Sequence, residues 1–224
     1  MDSTVDEVFP PLRQCLREPI PEVFDAARYL DAAVSAHFAG QHDLADQLIR
    51  LADMPVIREW TESIWGAQSP YVKIRPQADA PPILPSDQRT KLRMPTSAEK
   101  RQLLDRDGYH CRVCGIPVIR QEVRQRLRDA YPSALQWEGR NAEQHAAFQA
   151  MWVQYDHVIA HARGGTNEAD NMLITCAPCN YGRMNYTFSE VGLLDPRTRQ
   201  SVQSMWDAQP ITRKHISVSD LATC

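Results

Sequence analysis

The N-terminal part of the chain carries apolar residues at three- and four-residue steps, the spacing that places side chains on one face of a helix. The pattern begins at Pro21, ends at about Trp65 and is interrupted around Gly40. Its apolar stripes occupy residues 23–38, 44–52 and 57–65. We therefore predict three helices that pack as a small bundle, an architecture that hosts too many activities to indicate one.

A proline-rich segment follows the predicted bundle. Proline fixes φ and removes a backbone donor, so a continuous helix is excluded here. The prolines are Pro70, Pro76, Pro81, Pro82, Pro85 and Pro95. The segment also holds Lys73, Arg75, Arg89, Lys91 and Arg93. It is either a solvated linker or a basic arm that follows a phosphate backbone, and the sequence favours neither.

The second half of the chain mixes helical and extended patterns. Thr96 and Glu99 have the spacing of a capping box, and Gly108 suits the end of the helix that this box would start. Further helices are predicted over residues 120–130 and between Cys179 and Tyr186, and strands over residues 153–159 and 172–175. The expected fold class is α+β and mostly helical.

Chain length allows two units joined by the proline-rich segment. Domains typically span about 100–150 residues, and this chain has 224. We predict an N-terminal helical domain over residues 1–66, a basic linker over 67–95 and a second domain over 96–224. A helical insert over about residues 120–152 would divide the second domain. The N-terminal domain is interpreted as a packing or partner-docking unit.

The formal net charge of -3 conceals a difference between the two parts of the chain. Residues 1–66 hold 12 acidic and 5 basic residues, whereas residues 67–224 hold 20 basic and 16 acidic residues. The stretch from Lys73 to Arg128 is more biased, with 13 basic and 6 acidic residues. Because phosphate binding depends on Lys and Arg, a nucleic-acid partner would meet the C-terminal part.

Two observations bear on the compartment. No apolar run approaches the ~18–20 residues that cross a bilayer, which argues against a membrane role. The first seven residues, from Met1 to Glu7, have neither the positive start nor the apolar stretch of a secretory signal peptide. We therefore expect a cytoplasmic protein.

Six cysteines in such a chain suggest metal ligands rather than disulfides. Four of them form two CxxC pairs, and four thiolates are the usual ligands of a closed tetrahedral zinc site, which braces a fold and does not activate water. The expected zinc ligands are Cys111, Cys114, Cys176 and Cys179. The insert would bring the two pairs together at its base. Cys15 is interpreted as a small buried residue and Cys224 as part of a frayed terminus.

Between the cysteine pairs, polar residues follow one another in a specific order. An Asp-His pair ends the first predicted strand, an Arg-Gly-Gly loop follows, one asparagine precedes the second strand and another follows the last cysteine. These residues are Asp156, His157, Arg163, Gly164, Gly165, Asn171 and Asn180. The order resembles the HNH endonuclease family, whose fold is the ββα-metal finger. The resemblance covers residues 108–187, about a third of the chain.

The resemblance implies roles for four of these residues. His157 would be the general base, and a histidine pKa near ~6.5 leaves it mostly neutral and able to accept a proton. Asp156 and Asn180 would bind a catalytic Mg²⁺ or Mn²⁺ through oxygen atoms. Asn171 would tie the loop together and orient the base.

The sequence departs from the commonest family pattern at Asn180, where most members have histidine. An amide oxygen favours Mg²⁺ over zinc or nickel at the catalytic position. Asn185 is a weaker candidate for the same metal. His161 would either tune or replace the base, or would simply be a solvated loop residue.

Several basic and aromatic residues flank these positions. Arg163 and Arg183 are expected to bind phosphates. Insert arginines would rest on the flank of a duplex or form an exposed helix face, and the sequence does not distinguish the two; they are Arg120, Arg124, Arg126 and Arg128. The aromatic residues near the first strand are interpreted as core residues rather than base-stacking groups; they are Phe148, Trp152 and Tyr155.

The resemblance thus implies a metal-dependent endonuclease that hydrolyses phosphodiester bonds of DNA, although the residues give no preference between DNA and RNA. A single site predicts nicking rather than a double-strand break. Nucleases of this kind often serve in restriction or phage defence, where the N-terminal helices would dock a protein partner. The alternative is a zinc-finger module that binds nucleic acid or protein without cutting; the presence of Asp156, His157 and Asn180 argues against it.

Overall fold

The computed structural model of the chain describes residues 11–65 and 68–202, so the expectations for Cys224 and for the first residues lie outside the described part. Three helices open the fold, as the apolar stripes predict. They are α1 (Pro21–Phe38), α2 (His42–Leu51) and α3 (Pro55–Ile64). A proline in the first turn presets the backbone of α1 and α3.

The proline-rich segment has neither an α-helix nor a strand, as its composition requires, and it lies against the C-terminal part of the chain. The backbone N–H of Arg75 donates to the carbonyl of Glu190 at 2.7 Å, and that of Leu84 donates to the carbonyl of Ala162 at 2.8 Å. Val72 is buried. These contacts anchor the segment along its length.

Helix α4 (Ser97–Asp107) begins and ends where the sequence predicts. The Thr96 hydroxyl accepts from the N–H of Glu99, and the Glu99 carboxylate accepts from the N–H of Thr96, so the capping box is confirmed. Gly108 follows with φ 75°, a backbone conformation that favours glycine.

The insert carries α5 (Gln121–Ala130) and α6 (Ala146–Ala150), and it packs on the N-terminal helices. The His145 ring lies 2.8 Å from the carbonyl of Ile49, and the N–H of Ala146 donates to the Asp53 carboxylate at 2.6 Å. One side of the insert therefore packs against the N-terminal helices, and the insert does not project freely from the fold.

Two antiparallel strands and a helix follow in ββα order. Strand β1 (Val153–His157) pairs with β2 (Met172–Cys176), with Val153 opposite Cys176, and α7 (Ala177–Arg183) starts directly after β2. The predicted first strand is two residues too long. The predicted last helix was placed too late, because Pro178 lies in its first turn and the chain turns helical at Ala177.

The buried apolar residues form one continuous cluster that runs from the N-terminal helices through the insert to the two strands. Close packing of α7 on the N-terminal part requires Gly182, where a Cβ would lie 2.7 Å from both Ile64 and Leu16. The fold class is α+β, as expected. Within the described residues, no helix combines the length and apolarity needed to cross a membrane.

Candidate functional site

Four cysteine side chains meet at the junction of β2, α7 and the turn after α4. Their sulfur atoms all lie within 4.8 Å of one another, and Cys114 Sγ is 3.6 Å from Cys176 Sγ. Tetrahedral zinc with Zn–S bonds of ~2.3 Å separates its sulfurs by roughly 3.8 Å, so the donor set and its spacing fit this ion. Burial raises the pKa of the Cys176 thiol, and a bound cation would favour its thiolate form.

The base of the insert brings the two CxxC pairs together, as the sequence predicts. The N–H of Ile119 donates to the carbonyl of Met151 at 2.6 Å, and the N–H of Val153 donates back to the carbonyl of Ile119 at 3.1 Å. The N–H of Arg112, inside the first pair, donates to the carbonyl of Ile174 on β2 at 2.8 Å. Backbone hydrogen bonds thus hold together two CxxC pairs that lie far apart in the sequence.

A groove with a volume of about 460 Å³ lies beside the cysteine cluster. The end of β1 supplies Asp156 and His157, and α7 supplies Asn180 and Arg183. The proline-rich segment and the loop after β1 also line the groove, with Arg89, Arg93, Met94 and His161. The structure therefore brings together residues that are far apart in the chain.

His157 is 7% exposed and is held in one orientation. Its Nε2 lies 2.9 Å from Asn167 Oδ1, and the Asn167 amide donates in turn to the carbonyl of Leu92 at 3.2 Å. Because the amide nitrogen faces that carbonyl, its oxygen faces the ring, and Nε2 carries the proton. Burial lowers the pKa of His157, so the ring is neutral and Nδ1 is left as the proton acceptor.

Asp156 is 6% exposed and forms an ion pair with Arg183, which is 1% exposed. Arg183 Nη2 lies 2.5 Å from Asp156 Oδ1, and Nε lies 3.3 Å from Oδ2. Burial raises the pKa of Asp156, and the Arg183 guanidinium partly offsets this effect. Arg183 also donates to the carbonyls of His157 and Tyr186, so it joins the end of β1 to the end of α7.

The two asparagines take different positions. Asn180 donates from Nδ2 to Gln154 Oε1 at 3.3 Å, which leaves its own amide oxygen for a ligand in the groove. Asn171 accepts from the N–H of Ile159 at 2.8 Å and donates to the carbonyl of Thr166 at 2.8 Å. Its amide thus closes the loop between the strands, which is the geometry expected of it.

Arg163 does not project freely into the groove. Its Nη2 lies 3.0 Å from Glu190 Oε1, and its Nη1 donates to the carbonyl of Pro81 at 2.7 Å. The adjacent glycines serve their own loop, since Gly164 has φ 85° and a Cβ on Gly165 would lie 1.7 Å from the carbonyl oxygen of Ile159. Like Arg183, Arg163 already binds a carboxylate, and its role in phosphate binding stays a prediction.

Sequence reasoning did not identify Asn167 or assign Arg93 to the site. Asn167 follows the Arg-Gly-Gly loop and carries no motif of its own, and its contact with His157 exists only in the folded loop. Arg93 is exposed, lines the groove and forms no ion pair with any residue in the described ranges. His161 lines the groove as well, with its Nε2 2.8 Å from the carbonyl of Thr90.

Comparison of the chain with protein-family models, with curated proteins and with solved structures gave no match.

Proposed function

We propose that the protein is a metal-dependent endonuclease of the HNH type that hydrolyses phosphodiester bonds of DNA. One observation carries the proposal. The groove beside the four-cysteine cluster joins Asp156 and His157 from the end of β1 with Asn180 from α7. A proton acceptor and oxygen ligands therefore share one cavity on a metal-braced ββα unit.

His157 supplies the base. Hydrolysis of a phosphodiester needs a group that takes a proton from the attacking water, and a neutral imidazole with a free nitrogen does this near neutral pH. Asn167 holds Nε2, so Nδ1 is the atom that accepts the proton. The carbonyls on β1 and the buried Arg183 keep the end of the strand in place.

Asp156 and Asn180 are the residues that would hold the catalytic metal. Mg²⁺ or Mn²⁺ prefers carboxylate and amide oxygens, which both residues offer, and when bound it supplies positive charge that stabilises the scissile phosphate. Asn180 lines the groove and binds Gln154 through its amide nitrogen, so its amide oxygen is the proposed ligand atom. Asp156 Oδ2 is the more available carboxylate oxygen, because Arg183 approaches it only to 3.3 Å.

The groove has a basic residue placed for a phosphate backbone. Arg93 is exposed and lines the same groove as the proposed catalytic residues. This placement favours the second interpretation of the proline-rich segment, a basic arm that follows nucleic acid. One groove acts on one strand at a time, so the expected product from a closed duplex is a nick.

Cleavage of supercoiled plasmid tests the proposal. The intact protein with Mg²⁺ or Mn²⁺ is expected to produce open circles, and EDTA is expected to stop the reaction. His157→Ala is expected to lower the rate by roughly 10²–10⁴-fold, the usual contribution of a general base. The matched variant His42→Ala, on α2, is expected to cut like the intact protein.

Zinc content is measured in every sample, because loss of the cysteine-bound ion would abolish activity by unfolding the site. The assignment of His157 as base is wrong if the variant keeps its zinc and cuts at the full rate. Linear product that appears as early as the open circles would contradict nicking.

One observation favours a second candidate, a module that binds nucleic acid without cutting it. Both oxygens of Asp156 are approached by Arg183, and this pair is buried, so the carboxylate has a partner before any metal arrives. The same plasmid experiment separates the candidates. A protein that binds DNA but leaves it intact with either metal supports the binding module.

A further inference from the structure

A second cavity of about 440 Å³ lies next to the groove and has no role in the proposed hydrolysis. It is formed by the residue that follows α3, by the insert and by α7. Three aromatic and three amide side chains line it: Trp65, Trp152, Tyr181, Asn141, Gln144 and Gln149.

The aromatic walls are flat and stand nearly perpendicular to one another. The ring of Tyr181 lies 5.7 Å from that of Trp65 and 6.5 Å from that of Trp152, with interplanar angles of 76° in both cases. Behind Trp152, the Arg124 guanidinium lies 3.6 Å from the ring of Trp137 and 4.9 Å from that of Trp152. This packing fixes Trp152 and leaves one of its faces for the cavity.

Two buried polar atoms at this cavity have no hydrogen-bond partner among the described residues. One is a donor, Trp65 Nε1, and the other is an acceptor, Gln149 Oε1. Gln149 is 1% exposed, and its amide nitrogen already donates to Gln144 Oε1 at 3.2 Å. Buried polar groups are normally satisfied, so an unpaired donor and acceptor beside one cavity point to a ligand that offers both.

Tyr181 connects the cavity with the groove. It lines both spaces and directly follows Asn180, so a strand whose phosphate lies in the groove passes the mouth of the cavity. We infer that this cavity receives one unpaired nucleobase of the bound strand, stacked on the ring of Trp152 and paired by its polar edge with Trp65 Nε1 and Gln149 Oε1. The inference rests on the proposed function, since it requires nucleic acid in the groove.

The chemistry of the cavity selects this occupant. A nucleobase is flat and carries donors and acceptors on its edge, and enzymes that act on nucleic acid place single bases in pockets of stacked aromatic and hydrogen-bonding groups. The lining contains no Asp, Glu, Lys or Arg, so it suits a neutral group. The phosphate charge stays in the groove with Arg93, and the base enters the cavity.

The experiment scans a fluorescent base along a short single-stranded oligonucleotide. 2-Aminopurine replaces one nucleotide at a time, and its emission is recorded with the zinc-loaded protein in buffer without Mg²⁺ or Mn²⁺, which prevents cleavage. Insertion predicts a distinct emission change at one position and little change elsewhere. In Trp65→Ala that change is expected to disappear, and binding is expected to weaken roughly tenfold through loss of the Nε1 donor and of an aromatic wall of the cavity.

Two further variants identify the contacts. Trp65→Phe keeps an aromatic wall but removes the Nε1 donor, so the emission change is expected to persist with weaker binding. Trp137→Phe is the matched control, because Trp137 packs behind Trp152 and does not line the cavity. It is expected to behave like the intact protein, and melting temperature and zinc content confirm that each variant is folded.

The outcomes for the cavity and for the nuclease are separable. The base-binding role of the cavity is overturned if the emission changes at no position of the oligonucleotide. It is also overturned if the change persists in folded Trp65→Ala. Both conclusions hold even if the protein nicks plasmid. No binding of the oligonucleotide at all also overturns that role. A position-specific change with no plasmid cleavage supports the cavity and argues instead against the proposed hydrolysis.

Discussion

His157 shows how much a single residue depends on a neighbour that the sequence does not mark. The ring is oriented by Asn167, and Asn167 is oriented by the carbonyl of Leu92 in the proline-rich segment. The chain of bonds decides which ring nitrogen carries the proton. At this scale the proposed chemistry depends on an amide contributed by a loop.

Substitution of Asn167 is expected to move the pH–rate profile of plasmid nicking. The Asn167 hydrogen bond raises the pKa of His157 against the larger effect of burial, so Asn167→Ala lowers that pKa and shifts the acidic limb to lower pH. Asn167→Asp places a carboxylate there, which stabilises the imidazolium and shifts the limb to higher pH.

The maximal rate in Asn167→Ala is expected to fall by about 10–100-fold, a size typical for loss of an orienting contact. Each rate is measured across the pH range on zinc-loaded protein. Identical acidic limbs in both variants and the intact protein would show that Asn167 does not act through His157.

At the scale of elements, α7 joins three parts of the molecule. It carries Cys179 of the cysteine cluster, Asn180 of the groove and Tyr181 of the second cavity on consecutive positions. The next residue, Gly182, packs against Ile64 and Leu16 of the N-terminal part. The proposed site therefore depends on contact between α7 and α3.

Gly182→Ala is expected to destabilise the protein by about 1–3 kcal/mol, because the added methyl group overpacks a tight contact. Alanine is the better helix former by about 1 kcal/mol, so propensity alone predicts the opposite sign. Gly139→Ala is the control, since a Cβ there has no atom within 4 Å. Urea unfolding of both variants measures the difference, and an unchanged midpoint for Gly182→Ala would contradict the packing.

At the scale of the whole molecule, the insert is held between the N-terminal helices and the two strands. His145 marks this junction. It is 0% exposed, its Nε2 contacts the carbonyl of Ile49, and its Nδ1 has no hydrogen-bond partner among the residues described, although the Asp53 carboxylate lies 3.9 Å from it. A protonated ring would be a buried charge, so the junction requires the neutral form.

The free energy of unfolding is therefore expected to fall on acidification. Burial lowers the pKa of His145 and of His37 below 6.5. Between the lowered folded values and 6.5, the unfolded chain binds more protons, so stability is complete above 6.5 and is lost as the pH falls below it.

Urea midpoints from about pH 7.5 to about pH 6 measure this slope, with zinc content followed throughout. His145→Gln keeps a donor for the Ile49 carbonyl and is expected to show a smaller slope. His161→Gln, at a solvent-accessible loop position, is expected to keep the original one. Equal slopes for all three proteins would show that His145 does not link folding to pH.

The sequence by itself determined the local elements and the members of the four-cysteine cluster. Apolar periodicity predicts α1, α2 and α3, the capping box fixes the start of α4, and the CxxC spacing identifies the four thiols. Each of these depends on neighbouring residues in the chain. The first residue of α7 was missed because proline in its opening turn started the helix earlier than the cysteine pattern suggested.

Only the tertiary structure decided what the polar groups contact. The sequence predicts that Arg163 and Arg183 bind phosphate, whereas the fold pairs them with the carboxylates of Glu190 and Asp156. It also brings Arg93 to the groove and closes the second cavity. These contacts join residues 27 or more positions apart in the chain, and sequence periodicity carries no information about packing over such separations.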